Sequence, residues 1–325
     1  MNVTILGAGA WGTSLGKILH ESGQAVTLWD IDQPTLDAVR AGRNERYLPG
    51  VDLPRDWQVE ADWDRAIRGR ECLVCAIPSK AFREVAARLQ GSPAILVSVT
   101  KGIECDTGLT MCRILKEYAP HNGVAALSGP TFALEVARGI PTAIVCASET
   151  EAVSRQVQEL FHRPAFRVYR SADVLGVELG GALKNIIAIG AGVCDGLGYG
   201  DNSKAALVTR AVAEMRRFGV ACGAQPETFS GLSGLGDLTV TCFSKQSRNR
   251  ALGERLGRGE TMEQIMASAP KLAEGYPTAR SAYRLARQCS VSTPIIDEVY
   301  AMLYEEKNVR QAVQDLLGRA LKAED

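Results

Sequence analysis

The sequence predicts two architectures in one chain. An α/β Rossmann-like N-terminal domain with a mostly parallel, doubly wound sheet covers residues 1–173, and an all-α C-terminal domain covers residues 174–325. Three observations carry this. The chain opens with a β-type run, a glycine-rich turn, an amphipathic helix, a second strand and an acid, all within about thirty residues. β-type runs then alternate with helical segments as far as Tyr169. Beyond Tyr169 the strand signals stop and only helical periodicities follow.

Asn2 to Leu6 (NVTIL) is the first strand, followed at once by Gly7-Ala8-Gly9-Ala10-Trp11-Gly12. The amphipathic segment Thr13 to Ser22 closes at Gly23, and Ala25 to Trp29 forms the next strand, ending at Asp30. Gly7, Gly9 and Gly12 satisfy G-x-G-x-x-G spacing. The first makes a tight turn, the second lets backbone amides reach a pyrophosphate, and the third lets helix pack on strand. In a strand–turn–helix context that spacing points to a dinucleotide site. Further strands are expected at Cys72–Ile77, Ala94–Val99, Val124–Leu127, Thr142–Cys146 and Phe166–Tyr169.

The stretch Ser171 to Asp195 joins the two halves. Leu179, Leu183, Ile186, Ile187 and Val193 make one apolar helical face, and Gly181, Lys184, Asn185, Ala188, Gly192 and Asp195 the other. Its glycines each cost roughly 1 kcal/mol against alanine in a helix, so something must approach the backbone closely. Two readings stand: an internal helix whose lysine snorkels outward, or a floor for cofactor and substrate on which Lys184 is the reactive group. Helices then follow at Asn202–Cys222, Lys245–Gly257, Met262–Ala267, Gly275–Gln288, Pro294–Glu306 and Val309–Ala320.

Composition narrows the function. Lys plus Arg equals Asp plus Glu at 37 each, which argues against a nucleic-acid partner or an anionic membrane. The longest apolar stretch, Ala182 to Cys194, is broken by Lys184 and Asn185, so no membrane insertion is expected. Met1 runs straight into a strand with no signal peptide, and nine cysteines form no disulfide framework; both suit a cytoplasmic protein. Cys72 and Cys75 point to opposite faces of a strand, and no second cysteine pair follows at zinc spacing, so no metal is expected. The three histidines, His20, His121 and His162, lie outside the glycine-rich motifs, which shifts acid–base work toward lysine.

Four other places carry chemistry. Lys101 follows a strand end, where open α/β sheets bind ligands. Ser128-Gly129-Pro130-Thr131-Phe132-Ala133 offers backbone amides after another strand. Gly231-Leu232-Ser233-Gly234-Leu235-Gly236-Asp237 brings a lone carboxylate on flexible backbone. Ser244 to Arg250 is a polar, basic cluster. Each has a plainer alternative: a solvated lysine, an ordinary loop or an exposed helix start. Together Lys101, Lys184, Arg248 and Asp237 suit a small anionic ligand, since arginine grips phosphate through two parallel bonds while Ser247 and Asn249 supply neutral donors.

The blocks GAGAWGTSL, NERYLP, TKGIE, SGPTFALE, GVELGGALKNIIAIGAG, GLSGLGDLTVTC, QSRNR and EGYPT occur in that order. With them the sequence resembles the bacterial NAD(P)-dependent sn-glycerol-3-phosphate dehydrogenases over essentially its whole length. The resemblance implies a cytoplasmic homodimer that interconverts dihydroxyacetone phosphate and glycerol 3-phosphate for glycerophospholipid synthesis. It implies Lys184 as acid/base, with Asp237 holding its ammonium. Substrate contacts would come from Lys101, Gly129, Thr131, Lys184, Asp237, Ser247, Arg248 and Asn249. Cofactor contacts would come from Ala10, Trp11, Tyr47, Lys101, Ala133, Arg248, Leu272 and Glu274, with Leu272 where the family usually has valine. The chain departs from NADPH-using members after strand two, where it reads Asp30-Ile31-Asp32. An acid 23 positions after Gly7 suits the ribose 2′-hydroxyl, so NAD is expected to be preferred over NADP. A carboxylate-recognising β-hydroxyacid dehydrogenase or ketopantoate-type reductase is the nearest alternative, and a non-catalytic dinucleotide sensor a more distant one.

Overall fold

The structure is a computed structural model. It describes residues 1–268, 273–321 and 323. Two compact units emerge, one of Met1–Lys101 with Leu109–Glu178, the other of Gly102–Gly108 with Leu179–Asp325.

The first unit is built on an eight-stranded sheet. Its strands are β1 (Asn2–Leu6), β2 (Ala25–Trp29), β3 (Gln58–Glu60), β4 (Cys72–Cys75), β5 (Ile95–Ser98), β6 (Val124–Ser128), β7 (Thr142–Ala147) and β8 (Phe166–Ser171). They lie in the order β3-β2-β1-β4-β5-β6-β7-β8. All pairs are parallel except β6 with β7, so the predicted mostly parallel sheet is found. The order reverses between β1 and β4, which puts the ligand-binding crevice at the carboxyl end of β1. β3 was not foreseen, because QVE is too short and too polar to register as a strand. Helices α1 (Ala10–Glu21), α2 (Gln33–Arg40), α3 (Trp63–Ile67), α4 (Phe82–Ala87), α5 (Met111–Tyr118), α6 (Ala133–Ala137) and α7 (Glu151–Phe161) connect the strands.

Both faces of the sheet are buried. Val3, Ile5, Cys72 and Val74 belong to one apolar cluster, and Leu6, Leu73 and Cys75 to another. Cys72 and Cys75 therefore face opposite sides, as the two-residue strand period requires. Burial pushes the Cys75 thiol up to about 12 and that of Cys72 higher still, so both act as small hydrophobic residues.

From Val174 the described secondary structure is helical: α8 (Val174–Gly196), α9 (Asp201–Ala221), α10 (Asp237–Phe243), α11 (Arg248–Gly257), α12 (Met262–Ser268), α13 (Gly275–Gln288), α14 (Pro294–Tyr304) and α15 (Val309–Leu317). Helix α8 is long and apolar enough to cross a membrane, but 83% of that window is buried inside the protein. Helix α11 starts later than the predicted Lys245 because the Ser247 hydroxyl caps it, accepting from the Arg250 amide.

The glycines of α8 prove to be a seat for protein backbone. A Cβ on Gly192 would fall 1.9 Å from the Arg250 carbonyl oxygen, and one on Gly180 2.7 Å from that of Ser233. Reciprocally, a Cβ on Gly253 of α11 would fall 1.8 Å from the Ile189 carbonyl oxygen. Helices α8 and α11 thus meet backbone to backbone, a closeness that only glycine permits. At Gly192, on the face that could have been a ligand floor, and at Gly180 the close neighbour is the chain itself.

Candidate functional site

In the first unit, strand β1 delivers its chain into Gly7, whose φ of +112° only glycine adopts easily. A Cβ on Gly12 would lie 1.9 Å from the Gly7 carbonyl oxygen, so the turn closes only with glycine there. Gly9, the N-cap of α1, has nothing within 4 Å of where its Cβ would be. The space above the first amides of α1, beside Ala10 and Trp11, is therefore open where a pyrophosphate would need it. The donor set fits a dinucleotide.

Asp30 is tied to this turn. Its Oδ2 accepts from the Ala8 amide at 2.7 Å and its Oδ1 from the Asp32 amide at 3.0 Å. Asp32 caps α2 by accepting from the Thr35 amide, and the Arg46 guanidinium lies 3.4 Å from the same oxygen. Arg46 also sits over the Tyr47 ring, 5.1 Å from its centroid. Asn44, buried and not singled out from sequence, donates to the Ala8 carbonyl and to Thr13 Oγ1, both at 3.0 Å. Its position in NERYLP was the available signal.

Lys101, Gly129 and Thr131 come together. The Lys101 ammonium donates to the Gly129 carbonyl at 3.1 Å, and the Thr131 hydroxyl donates to the same oxygen at 3.2 Å. Ala133 opens α6, and its carbonyl accepts from Ser14 of α1 at 2.8 Å.

In the second unit, Lys184 on α8 and Asp237 at the start of α10 form a buried pair. The ammonium donates to Asp237 Oδ1 at 2.9 Å and to Thr241 Oγ1 at 2.7 Å. The side chains of Lys184 and Asp237 are 9% and 1% exposed. The Thr241 hydroxyl proton goes to the Asp237 carbonyl at 2.6 Å, so Thr241 faces Lys184 as an acceptor. Asp237 and Thr241 share a helix face by their i, i+4 spacing. Sequence reasoning missed Thr241 because the run from Gly231 was read as loop. It is a π-type turn, Leu232–Gly236, leading directly into α10.

Beside this pair, Asn249 Nδ2 donates to Asn185 Oδ1 at 2.8 Å, and the Gly275 amide donates to Asn249 Oδ1 at 2.8 Å. Asn185 stands next to Lys184, and Glu274 directly precedes Gly275, so α8, α11 and α13 are joined here through one amide side chain. Ser247 is buried as the α11 cap, while Arg248 is exposed on the first turn of that helix. Below them the Asp195 carboxylate pairs with two cations, lying 3.0 Å from the Lys204 ammonium and 2.9 Å from the Arg250 guanidinium. Leu272 lies outside the described residues. Among the described residues no cluster of three metal-ligating side chains occurs.

Comparison with known proteins gives the family. Family models described as NAD-dependent glycerol-3-phosphate dehydrogenase N-terminus and C-terminus match residues 2–154 and 173–314. The glycerol-3-phosphate dehydrogenase (NAD(P)+) of Syntrophotalea carbinolica is 48% identical over 331 residues, covering 100% of this chain and 99% of the relative. That of Geobacter sp. strain M21 is 48% identical over 329 residues, covering 99% and 98%. The crystal structure of glycerol-3-phosphate dehydrogenase from Coxiella burnetii superposes with a TM-score of 0.93 at 36% identity, covering 98% of each chain.

Proposed function

This chain belongs to the NAD-dependent glycerol-3-phosphate dehydrogenase family, and we infer from that membership how its residues work. It is an oxidoreductase that interconverts dihydroxyacetone phosphate and sn-glycerol 3-phosphate using NAD(P)H. The observation that carries the mechanism is the Lys184 ammonium, held between the Asp237 carboxylate and the Thr241 hydroxyl.

The dinucleotide supplies a hydride when bound, and Gly7, Gly9, Ala10, Trp11 and Gly12 are the residues that would hold its pyrophosphate. During reduction, negative charge builds on the substrate carbonyl oxygen. Lys184 donates a hydrogen bond to that oxygen and then a proton, general-acid work typically worth 10²–10⁴-fold. Asp237 holds the ammonium in place. Thr241 fixes its second direction, because its own proton is committed to the backbone. Arg248, on the first turn of α11, is free to swing toward a phosphate. The buried Asn185–Asn249 hydrogen bond holds Asn249 beside Lys184, where it would meet the substrate together with Ser247.

We place the enzyme in the cytoplasm as a homodimer supplying glycerophospholipid synthesis. All nine cysteines stand as thiols rather than disulfides, which suits a reducing compartment and supports the cytoplasmic part. The test is NADH oxidation with dihydroxyacetone phosphate against carboxylated carbonyl compounds, with stereochemical assay of the alcohol. The expected product is sn-glycerol 3-phosphate. Preferential turnover of a keto acid would overturn the assignment.

A further inference from the structure

Two cysteines outside the site meet in the second unit. Cys222 caps the C-terminus of α9 and Cys289 the C-terminus of α13, 67 positions apart, with their Sγ atoms 3.4 Å apart. Both are partly exposed, whereas Cys72, Cys75, Cys112, Cys146, Cys194 and Cys242 are buried. Each helix ends firmly: the Cys222 amide donates to the Phe218 and Gly219 carbonyls, and the Cys289 amide to that of Leu285. The next residue in each case is left-handed, Gly223 at φ +96° and Ser290 at φ +51°. The chain turns away directly after each cysteine, leaving the two thiols abutting. The left-handed Ser290 closes α13 locally, its amide donating to the Arg287 carbonyl at 3.1 Å and the Val291 amide to that of Ala286 at 3.0 Å.

We propose that Cys222 and Cys289 form a reversible disulfide under peroxide, a redox modification site that staples α9 to α13. Closure needs the sulfur atoms to move from 3.4 Å to about 2.05 Å, within reach of side-chain rotation. The chemistry balances with one hydrogen peroxide. One thiolate attacks the O–O bond, giving a sulfenic acid and hydroxide. The second thiol attacks that sulfur, the S–O bond breaks and water leaves. Its proton and the first thiol's proton end on the oxygens, so two thiols and one peroxide yield one disulfide and two waters.

The enzyme is treated with a slight molar excess of hydrogen peroxide, then denatured, alkylated and analysed by intact mass and non-reducing peptide mapping. Seven of the nine cysteines should take up the alkylating agent, and one cross-linked peptide should join Cys222 to Cys289. Dithiothreitol should restore all nine. A staple closing so long a loop should raise Tm by about 5 °C or more, and Cys222→Ser and Cys289→Ser should each abolish the rise. Nine alkylated thiols after peroxide, or a cross-link to any other cysteine such as Cys105, overturns the proposal. The mapping uses the unmodified sequence, so it decides the question even if a serine variant folds poorly.

Discussion

The Lys184 ammonium donates to Asp237 Oδ1 across 2.9 Å, tying α8 to the first residue of α10, with both side chains almost wholly out of water. A charge pair so buried is held by its partner: removing one member strands the other in a low-dielectric setting.

Lys184→Met is therefore expected to do two separable things. Turnover should fall by about two orders of magnitude or more, the scale of a lost general acid. Stability should fall by about 3–5 kcal/mol, because a buried ion pair loses its ammonium. Adding Asp237→Asn should recover much of the stability and none of the activity. Urea unfolding beside steady-state kinetics checks both. Recovery of turnover in the double variant would remove Lys184 from the acid role.

The sheet was legible because its strands are apolar runs bounded by glycine and polar residues, and Gly7 and Gly12 because their spacing has one structural use. Lys184 stood out as an ammonium on a face of small residues. What surrounds it was hidden by composition. Glycines 231, 234 and 236 look like loop, yet a Cβ on Gly234 would fall 2.2 Å from the Phe229 carbonyl oxygen. They permit a tight π-type turn that launches α10, which alone puts Asp237 and Thr241 on one face. The two readings of the α8 glycines could not be separated for a related reason. Sequence shows that a backbone must be approached closely, and cannot show whether a ligand or another helix does so.

Arg248 is expected to recognise the substrate phosphate. It is exposed on the first turn of a helix whose cap, Ser247, is already fixed. Arg248→Ala should cost about 1.5–3 kcal/mol in kcat/KM with dihydroxyacetone phosphate, the scale of a charge-assisted contact. The loss with unphosphorylated dihydroxyacetone should be far smaller. Equal losses with both would place the guanidinium elsewhere.

Stability should depend on pH through Glu214. This carboxyl is 1% exposed on α9 and accepts from the Ile295 and Ile296 amides at the start of α14, at 3.0 and 2.9 Å. Burial raises its pKa from 4.5 to about 7, although those amides and Arg217 oppose the rise and Asp297 adds to it. The folded state thus holds this proton more tightly than the unfolded chain. Its contribution is fully present below about pH 4.5 and is lost as pH rises through about 7. The difference in unfolding free energy between wild type and Glu214→Gln should fall with rising pH across that window. A difference that is flat or rises with pH would exclude Glu214 as the cause.

The last expectation is that NADH serves better than NADPH. Both Asp30 oxygens accept backbone amides, from Ala8 and Asp32, which fix the carboxylate in place. An anion fixed at the end of β2 opposes a ribose 2′-phosphate by several kcal/mol unless a cation intervenes. Arg40, at the end of α2, is engaged with Asp37 at 2.7 Å and with the Val59 carbonyl at 3.1 Å. The cation actually near is Arg46, 3.4 Å from Asp32 and 68% exposed. Asp32 offsets part of its charge, so Arg46 supports some NADPH use without reversing the preference. At saturating dihydroxyacetone phosphate, kcat/KM for NADH should exceed that for NADPH by at least about tenfold, a difference of 1.4 kcal/mol. Arg46→Ala should lower the NADPH value further and leave the NADH value nearly unchanged. If NADPH matches NADH in the wild-type enzyme, Asp30 does not discriminate. If Arg46→Ala weakens both cofactors equally, its position over Tyr47 matters for the shared adenosine and not for the phosphate.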